Sequence, residues 1–205
     1  MTRLLLASAS SARLRTLQAA GVEPVVRQSG VDEDAVLAQA AALDGPVEPA
    51  DAALVLARAK AEAVAADVVD VVVLGCDSVL ELDGQAHGKP ADPAAAVERW
   101  RAMRGRSGLL HTGHWLVDTR SDGRGEALGA LASTTVHFAD VGDDEIDAYV
   151  ATGEPLQVAG AFTIDGLGGP FISGIEGDHH NVVGLSLPLL RTMLVTFGVT
   201  WTDLW

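Results

Sequence analysis

Lysine is scarce in this chain, and its two positions suggest phosphate chemistry. All 14 basic side chains are arginine except Lys60 and Lys89. The compact ammonium of lysine binds a phosphate as a point charge, whereas the planar guanidinium of arginine suits bidentate partners. The two lysines are therefore candidate phosphate ligands, with retention by chance as the alternative.

Two acidic positions are candidates for catalysis. Asp77 ends the otherwise apolar run 71–77. A carboxylate there must be paired, hydrogen-bonded or bound to a metal, because an unpaired buried charge is costly. A turn-capping Asp or a structural ion pair would also explain it. Glu33 lies in the acidic triplet 32–34 and could be a second metal carboxylate, although a solvated acidic turn is the commoner origin of such a triplet.

A serine-rich turn between a predicted strand and a predicted helix is a candidate anion site. Ser8, Ser10 and Ser11 precede the helix, whose first backbone N–H groups lack partners within the helix and face any bound anion. Arg13 adds a guanidinium in the first turn. The segment lacks the glycines of a dinucleotide-binding loop and the Gly-Lys-Ser/Thr of a P-loop, so it is not specific by itself.

The remaining residues of reactive types are weaker candidates for a functional site. Asp178, His179 and His180 are adjacent, but no further ligand follows at a zinc-like spacing, which favours a polar loop over a metal site. His114 lies on a predicted strand, where packing or a surface position is the expected role. Cys76 is predicted to face the core, on the side of its strand opposite to Asp77.

The order of the elements predicts an α/β fold with a mixed sheet. Isolated strands and hairpins alternate with helices along the chain. Strands are predicted at 3–7, 24–28, 71–82, 109–119 and 126–138, with turns at 83–84 and 121–125. Helices are predicted at 12–20, 35–44, 49–66, 93–103, 143–150 and 185–197.

Composition limits the classes of function. The 205 residues fit a single domain spanning 1–205, and a hydrophobic content of 48% excludes a disordered chain. The formal net charge of −14 repels duplex nucleic acid and anionic membranes. A single cysteine and the lack of an apolar run of about 20 residues predict a cytoplasmic protein without a membrane span.

A series of short motifs, taken in order, resembles the Maf family. The motifs lie at 4–13, 31–33, 56–61, 74–79, 88–90, 111–113, 153–155, 159–161, 175–178 and 181–185. Each is short, but their joint occurrence over nearly the whole chain is specific. Both lysines fall on positions of the family.

The resemblance implies an elongated mixed β-sheet with flanking helices and two lobes around a cleft, as in the inosine triphosphatases (the Maf/Ham1 fold). It also implies a nucleoside triphosphate pyrophosphatase, commonly a homodimer, that uses a divalent metal cation such as Mg²⁺, Mn²⁺ or Co²⁺. Asp77 and Glu33 would be the catalytic carboxylates and the metal ligands. The triphosphate would be bound by Ser8, Ser10, Arg13, Lys60 and Lys89.

The resemblance ties base selectivity to Ala12, Ser78 and Asp165. The family pattern has an arginine at Ala12, a lysine at Val158 and a glutamine at Asp165. Because a carboxylate mainly accepts hydrogen bonds, Asp165 favours a base that offers an N–H group, such as guanine, a methylated guanine or cytosine.

The implied role is the removal of non-canonical or surplus nucleotides. The alternative, from a different class, is a nucleotide-binding regulator of cell division or septum formation with little or no turnover. A regulator could lose the carboxylates and keep the cations, so the presence of Asp77 and Glu33 beside both lysines favours the enzyme.

Overall fold

A seven-stranded mixed sheet forms the centre of this computed structural model, which describes residues 2–121 and 125–205. The strand order is β2-β1-β3-β5-β6-β7, and β4 also pairs with β3. β1 runs parallel to β2 and β3, and every other pair is antiparallel. The α/β class with a mixed sheet is confirmed. The strands are β1 Leu4–Leu6, β2 Val25–Val26, β3 Val72–Leu82, β4 Gln85–His87, β5 Ser107–Asp118, β6 Ala127–Phe138 and β7 Ile172–Glu176.

The helices flank this sheet. They are α1 Ser11–Ala19, α2 Glu33–Asp44, α3 Pro49–Ala65, α4 Pro93–Met103, α5 Asp143–Ala151, α6 His179–Val183 and α7 Leu187–Thr196. Side-chain caps fix several of their starts: Ser10, Asp32, Asp92 and Ser186 each accept a backbone N–H from the first turn. No helix in the described ranges is both long and apolar enough to cross a bilayer.

One predicted loop is a helix in the structure. The sequence predicts a polar loop at 178–180, but Asp178 accepts the backbone N–H of His180 and caps α6, which begins at His179. A short, polar helix gives too little apolar periodicity to be recognised from the sequence. The predicted turn at 121–125 lies mostly outside the described residues.

Of the three hydrophobic cores among the described residues, two lie at opposite ends of the long strands, and the third packs α3 against β1 and β3. The first core joins β1, α1 and α7 to one end of β3, β5 and β6, and the second joins α4 and α5 to the other end. Along β3, Leu74 and Cys76 belong to the first core, and Leu80 and Leu82 belong to the second. Cys76 is fully buried, as the sequence predicts.

Between the two cores, one edge of β3 is open. β1 pairs with residues 72–74 of β3 and β4 with residues 80–82, both on the edge opposite to β5. Residues 75–79 therefore have no strand neighbour on that edge within the described chain; we name this stretch the strand gap. β1 ends beside the gap, and the antiparallel β4 directs residues 88–90 back toward it. Asp77 and Ser78 lie within the gap.

Candidate active site

Lys60 joins the two candidate catalytic carboxylates. Its Nζ lies 2.5 Å from Asp77 Oδ1 and 2.7 Å from Glu33 Oε1. The side chains of Lys60 and Asp77 are each 12% exposed, whereas that of Glu33 is 52% exposed. Three of the predicted site residues, from α2, α3 and β3, therefore meet at one point, although 17 to 44 positions separate them in the sequence.

Glycine brings α3 close enough to the sheet for this contact. A Cβ added at Gly75 of β3 would collide with the carbonyl oxygen of Ala57, and one added at Gly113 of β5 would collide with that of Ala53. The backbone of α3 therefore lies directly on the two strands. Lys60, one turn beyond Ala57, reaches Asp77 as a consequence.

Burial raises the pKa of the Asp77 carboxyl group, and the nearby Glu33 raises it further, while Lys60 and Arg13 oppose the shift. Lys60 donates to Oδ1, and no hydrogen bond reaches Oδ2 from the described part of the chain. A buried carboxylate with a raised pKa and a free oxygen is suited to accept a proton from a water molecule.

The two carboxylates fit a hard divalent cation. Asp77 and Glu33 offer oxygen ligands that converge on the same positive group, Lys60. Mg²⁺ and Mn²⁺ prefer oxygen ligands and are usually held by one or two carboxylates together with substrate phosphates. The donor set agrees with that preference, and Lys60 would compete with the cation for the same oxygens.

Arg13 fills the open edge of β3 and binds mainly to protein. Its Nε donates to the carbonyl of Gly184 at 2.7 Å, and NH1 donates to the carbonyl of Cys76 at 2.8 Å and to Ser8 Oγ at 3.2 Å. NH2 donates to Ser78 Oγ at 3.0 Å. Four of the five N–H groups of the guanidinium are thus used within the chain. Its predicted contact with triphosphate stays a prediction, and the structure adds a role in joining the turn at 7–12 to β3.

The serine turn keeps donors for an anion. Ser8 Oγ accepts the backbone N–H of Ser10 at 3.1 Å, and Ser10 Oγ accepts that of Arg13 at 3.4 Å. Both hydroxyl groups act as acceptors in these bonds, so the hydrogen of each stays available to a phosphate oxygen. The N-terminus of α1 begins at Ser11, beside them.

Ser78 lies on the face of β3 opposite to Asp77 and belongs to a buried polar network. Its Oγ is 2.9 Å from Oγ1 of Thr112, its partner on β5, and Thr112 donates to the carbonyl of Asn181 at 3.2 Å. Asn181 is fully buried and donates to Thr134 Oγ1 at 3.1 Å. The contact between Thr112 and Ser78 could not be predicted from the sequence, because it depends on strand register.

Of the two roles expected for His114, packing or a surface position, the structure shows packing, because the side chain is fully buried. Its Nδ1 lies 3.0 Å from the carbonyl of Thr112, and its Nε2 accepts the backbone N–H of Ser186 at 2.9 Å. Burial lowers the pKa of His114 to about 4. The neutral ring therefore links β5 to the start of α7.

Lys89 is exposed and has no acidic partner among the described residues. The loop that carries it is fixed by the carbonyl of Gly88, which accepts from Arg99 at 2.5 Å and from the backbone of Gly160 at 3.1 Å. In a chain with twice as many acidic as basic side chains, an unpaired ammonium beside the strand gap is available to an anionic ligand.

Two of the three residues tied to base selectivity, Ala12 and Asp165, lie outside the elements that carry Lys60, Glu33 and Asp77. Ala12 is half-buried in the first turn of α1, and Asp165 is exposed in the loop before β7. Oδ2 of Asp165 lies 3.7 Å from NH2 of Arg15, which is one turn beyond Ala12 on α1. The structure therefore places Asp165 next to α1, and its contact with Arg15 is one that the sequence did not reveal.

Comparisons with known proteins identify the family of this chain. The family described as Maf-like protein matches residues 3–197. A nucleoside triphosphate pyrophosphatase of Leifsonia xyli is 56% identical, over 99% of this chain and 96% of the relative. A protein of the same name from Salinispora tropica is 59% identical, over 99% of this chain and 87% of the relative. A solved HAM1 protein from Coxiella burnetii shares 19% identity over 69% of this chain and 75% of its own, with a TM-score of 0.41. Because the family match spans almost the entire sequence and the relatives share more than half of their residues with it, this chain belongs to the Maf family.

Proposed function

We propose that this chain hydrolyses a nucleoside triphosphate to a nucleoside monophosphate and pyrophosphate with the help of a divalent cation. The observation that carries the proposal is the bridge from Lys60 to Glu33 and Asp77 beside the strand gap. The relatives named nucleoside triphosphate pyrophosphatase, at 56% and 59% identity over nearly full length, support the same reaction.

In the proposed reaction, the oxygen of a water molecule attacks the α-phosphorus and the bond from that phosphorus to the bridging oxygen breaks. Pyrophosphate leaves, and the proton of the water passes to Oδ2 of Asp77. Burial suits Asp77 to this role, because a raised pKa makes its carboxylate a stronger base than an exposed aspartate.

Glu33 and Asp77 would hold the cation, which supplies positive charge against the triphosphate and makes water more acidic. Lys60 orients both carboxylates before substrate binds. Lys89, Ser8 and Ser10 would donate to phosphate oxygens, since the described chain leaves their ammonium and hydroxyl hydrogens without acceptors. Arg13 keeps the serine turn against β3.

For the base, the proposal takes Asp165 as the discriminating residue. A carboxylate accepts hydrogen bonds, so a base that presents an N–H group to Asp165, such as guanine, a methylated guanine or cytosine, is favoured over one that presents a carbonyl oxygen there. The proposed role is removal of non-canonical or surplus nucleotides.

The test is pyrophosphate release from a panel of standard, methylated and deaminated nucleoside triphosphates with Mg²⁺, Mn²⁺ or Co²⁺. Asp77→Asn should lower kcat by about 10²–10⁴-fold while nucleotide binding is kept, because the amide cannot accept the proton. Asp44→Asn, at the exposed end of α2, is the matched control and should behave as wild type.

Three results would contradict the proposal. Wild-type rates in Asp77→Asn would remove Asp77 from the reaction. Release of inorganic phosphate in the first step would mean cleavage at the terminal phosphorus. Tight nucleotide binding without turnover across the panel would favour the regulator.

A further inference from the structure

The loop at 163–168 is folded around the carboxylate of Glu154. Oε1 accepts the hydroxyl of Tyr149 at 2.9 Å, the hydroxyl of Thr163 at 2.6 Å and the backbone N–H of Gly168 at 3.1 Å. Oε2 accepts the backbone N–H of Leu167 at 3.0 Å. One side chain thus binds the loop at its start and at its end, with Asp165 between the two attachments.

The backbone of the loop packs directly against the Glu154 carboxylate, so that a side chain at either of two glycines would collide. A Cβ added at Gly166 would lie 2.5 Å from Glu154 Oε2, and one added at Gly168 would collide with the hydroxyl of Tyr149. The backbone N–H of Thr163 also donates to that hydroxyl at 3.3 Å. The two glycines are therefore required by the close approach of the loop to its anchor, and most other conformations of the loop would break these bonds.

Tyr149, which donates to Glu154, is itself held rigidly. Tyr149 is buried in the second core, where its ring packs edge-on against Trp100 and Phe171 at centroid distances of 5.5 and 5.4 Å. Burial opposes ionisation of Glu154, but the bonds from Thr163 and the loop outweigh this effect and lower the pKa of its carboxyl group. The four donors therefore face a full negative charge.

The ion pair from Asp165 to Arg15 is too weak to set the position of Asp165 by itself. The distance is 3.7 Å, and the two side chains are 40% and 64% exposed. Exposed pairs of this kind contribute little to stability. Four hydrogen bonds to one carboxylate are a much stronger constraint on the loop, and they fix the side from which Asp165 approaches α1.

We propose that Glu154 is a positioning residue for nucleotide selection, which acts by holding the 163–168 loop so that Asp165 faces the first turns of α1. This inference rests on the proposed function, in which Asp165 reads the base. Glu154 itself does not contact the substrate in this account. Its effect reaches the nucleotide only through the position of Asp165.

The first test is Glu154→Gln. The amide keeps the shape but offers one acceptor oxygen and directs N–H groups at a site where every neighbour is a donor. We expect the ratio of kcat/KM between the best and a poor nucleotide to fall by about tenfold, with kcat for the poor nucleotide changed less than about threefold. Glu126→Gln, an exposed residue before β6, is the matched control and should keep the wild-type ratio.

The second test asks whether Glu154 acts through Asp165. Asp165→Ala should lower the same ratio, and adding Glu154→Gln to it should lower the ratio no further, because the two changes affect one step. Tyr149→Phe, which removes one donor, should give a smaller change in the same direction and covers the case in which Glu154→Gln does not fold.

The readouts separate this inference from the proposed function. Relative nucleotide affinities measured by calorimetry give the selectivity even without turnover, so failure of hydrolysis would not obscure the result. Three results would overturn the positioning role. They are an equal loss of affinity or kcat/KM for every nucleotide in Glu154→Gln, an unchanged ratio between the best and a poor nucleotide, and additive effects of the two changes in the double variant.

Discussion

At the scale of single residues, Arg13 and Lys89 show two different uses of a cation near the strand gap. Arg13 directs four N–H groups at oxygens of the chain itself, two of them backbone carbonyls. Lys89 is exposed, and no acidic side chain of the described residues pairs with it. A guanidinium can satisfy several fixed acceptors at once, whereas an ammonium is a mobile point charge suited to a phosphate.

Arg13→Lys should therefore destabilise the fold. Lysine cannot reach the carbonyls of Cys76 and Gly184 together, and we expect the free energy of unfolding to fall by about 2–4 kcal/mol, measured by urea denaturation. Arg101→Lys, an exposed change on α4, is the control and should leave the free energy of unfolding near its wild-type value. Full stability in Arg13→Lys together with lost nucleotide binding would show that the guanidinium serves the substrate instead.

The sequence predicted the types of the site residues better than their contacts. Asp77 is conspicuous because it interrupts an apolar strand, and Lys60 because lysine is rare. The partners of Arg13 could not be predicted, since they are backbone carbonyls 63 and 171 positions away in the chain. The contact from Asp165 to Arg15 likewise depends on how the two cores are placed relative to each other.

At the scale of elements, the helices and long strands follow from local signals, but the strand gap does not. Apolar runs, caps and the Asp-Gly turn predict where β3 begins and where its hairpin closes. The gap arises because β1 and β4 are short and pair with different parts of the same edge. Strand lengths and registers of this kind depend on tertiary contacts, which a single sequence does not show.

The position of α3 gives a prediction at this scale. Gly75→Ala places a methyl group against the carbonyl of Ala57, so α3 must move away from β3 and carry Lys60 with it. We expect a loss of about 1–3 kcal/mol in the free energy of unfolding and a fall in kcat of about 10²-fold, because displacements near 1 Å are enough to disrupt a catalytic arrangement.

The matched control is Gly174→Ala on β7. Its added Cβ would lie 3.6 Å from the ring of His137, an ordinary contact, so both stability and kcat should stay near the wild-type values. Unfolding curves and pyrophosphate release measure the two effects separately. A Gly75→Ala variant with full activity would mean that the approach of α3 to the sheet is not needed for the Lys60 contact.

At the scale of the whole molecule, a chain of net charge −14 must bind a polyanion. The fold brings Arg13, Lys60 and Lys89 to the strand gap, from α1, α3 and the loop after β4. Because exposed charges farther away than about 8–10 Å are largely screened at physiological salt, the distant acidic surface opposes a phosphate bound there only weakly.

The two cores should unfold as one unit. The pairing of β3 with β5 runs without interruption from Val72 to Glu81, and that of β5 with β6 runs from Ser107 to Val117. Separating the cores would break three strands in their middle and expose the polar network of Thr112 and Asn181. We therefore expect a single transition in urea, with the same midpoint for every probe, as for a single domain spanning 1–205.

The tryptophans allow this to be measured core by core. Trp100 is fully buried in the second core, and Trp201 packs against the first. Variants in which Trp100 alone or Trp201 alone is kept of the four tryptophans should give fluorescence midpoints that coincide with each other and with the loss of circular dichroism. Two separated midpoints would divide the chain at the strand gap into two folding units. The site would then lie between units that can move independently, and its Lys60 bridge would depend on their docking.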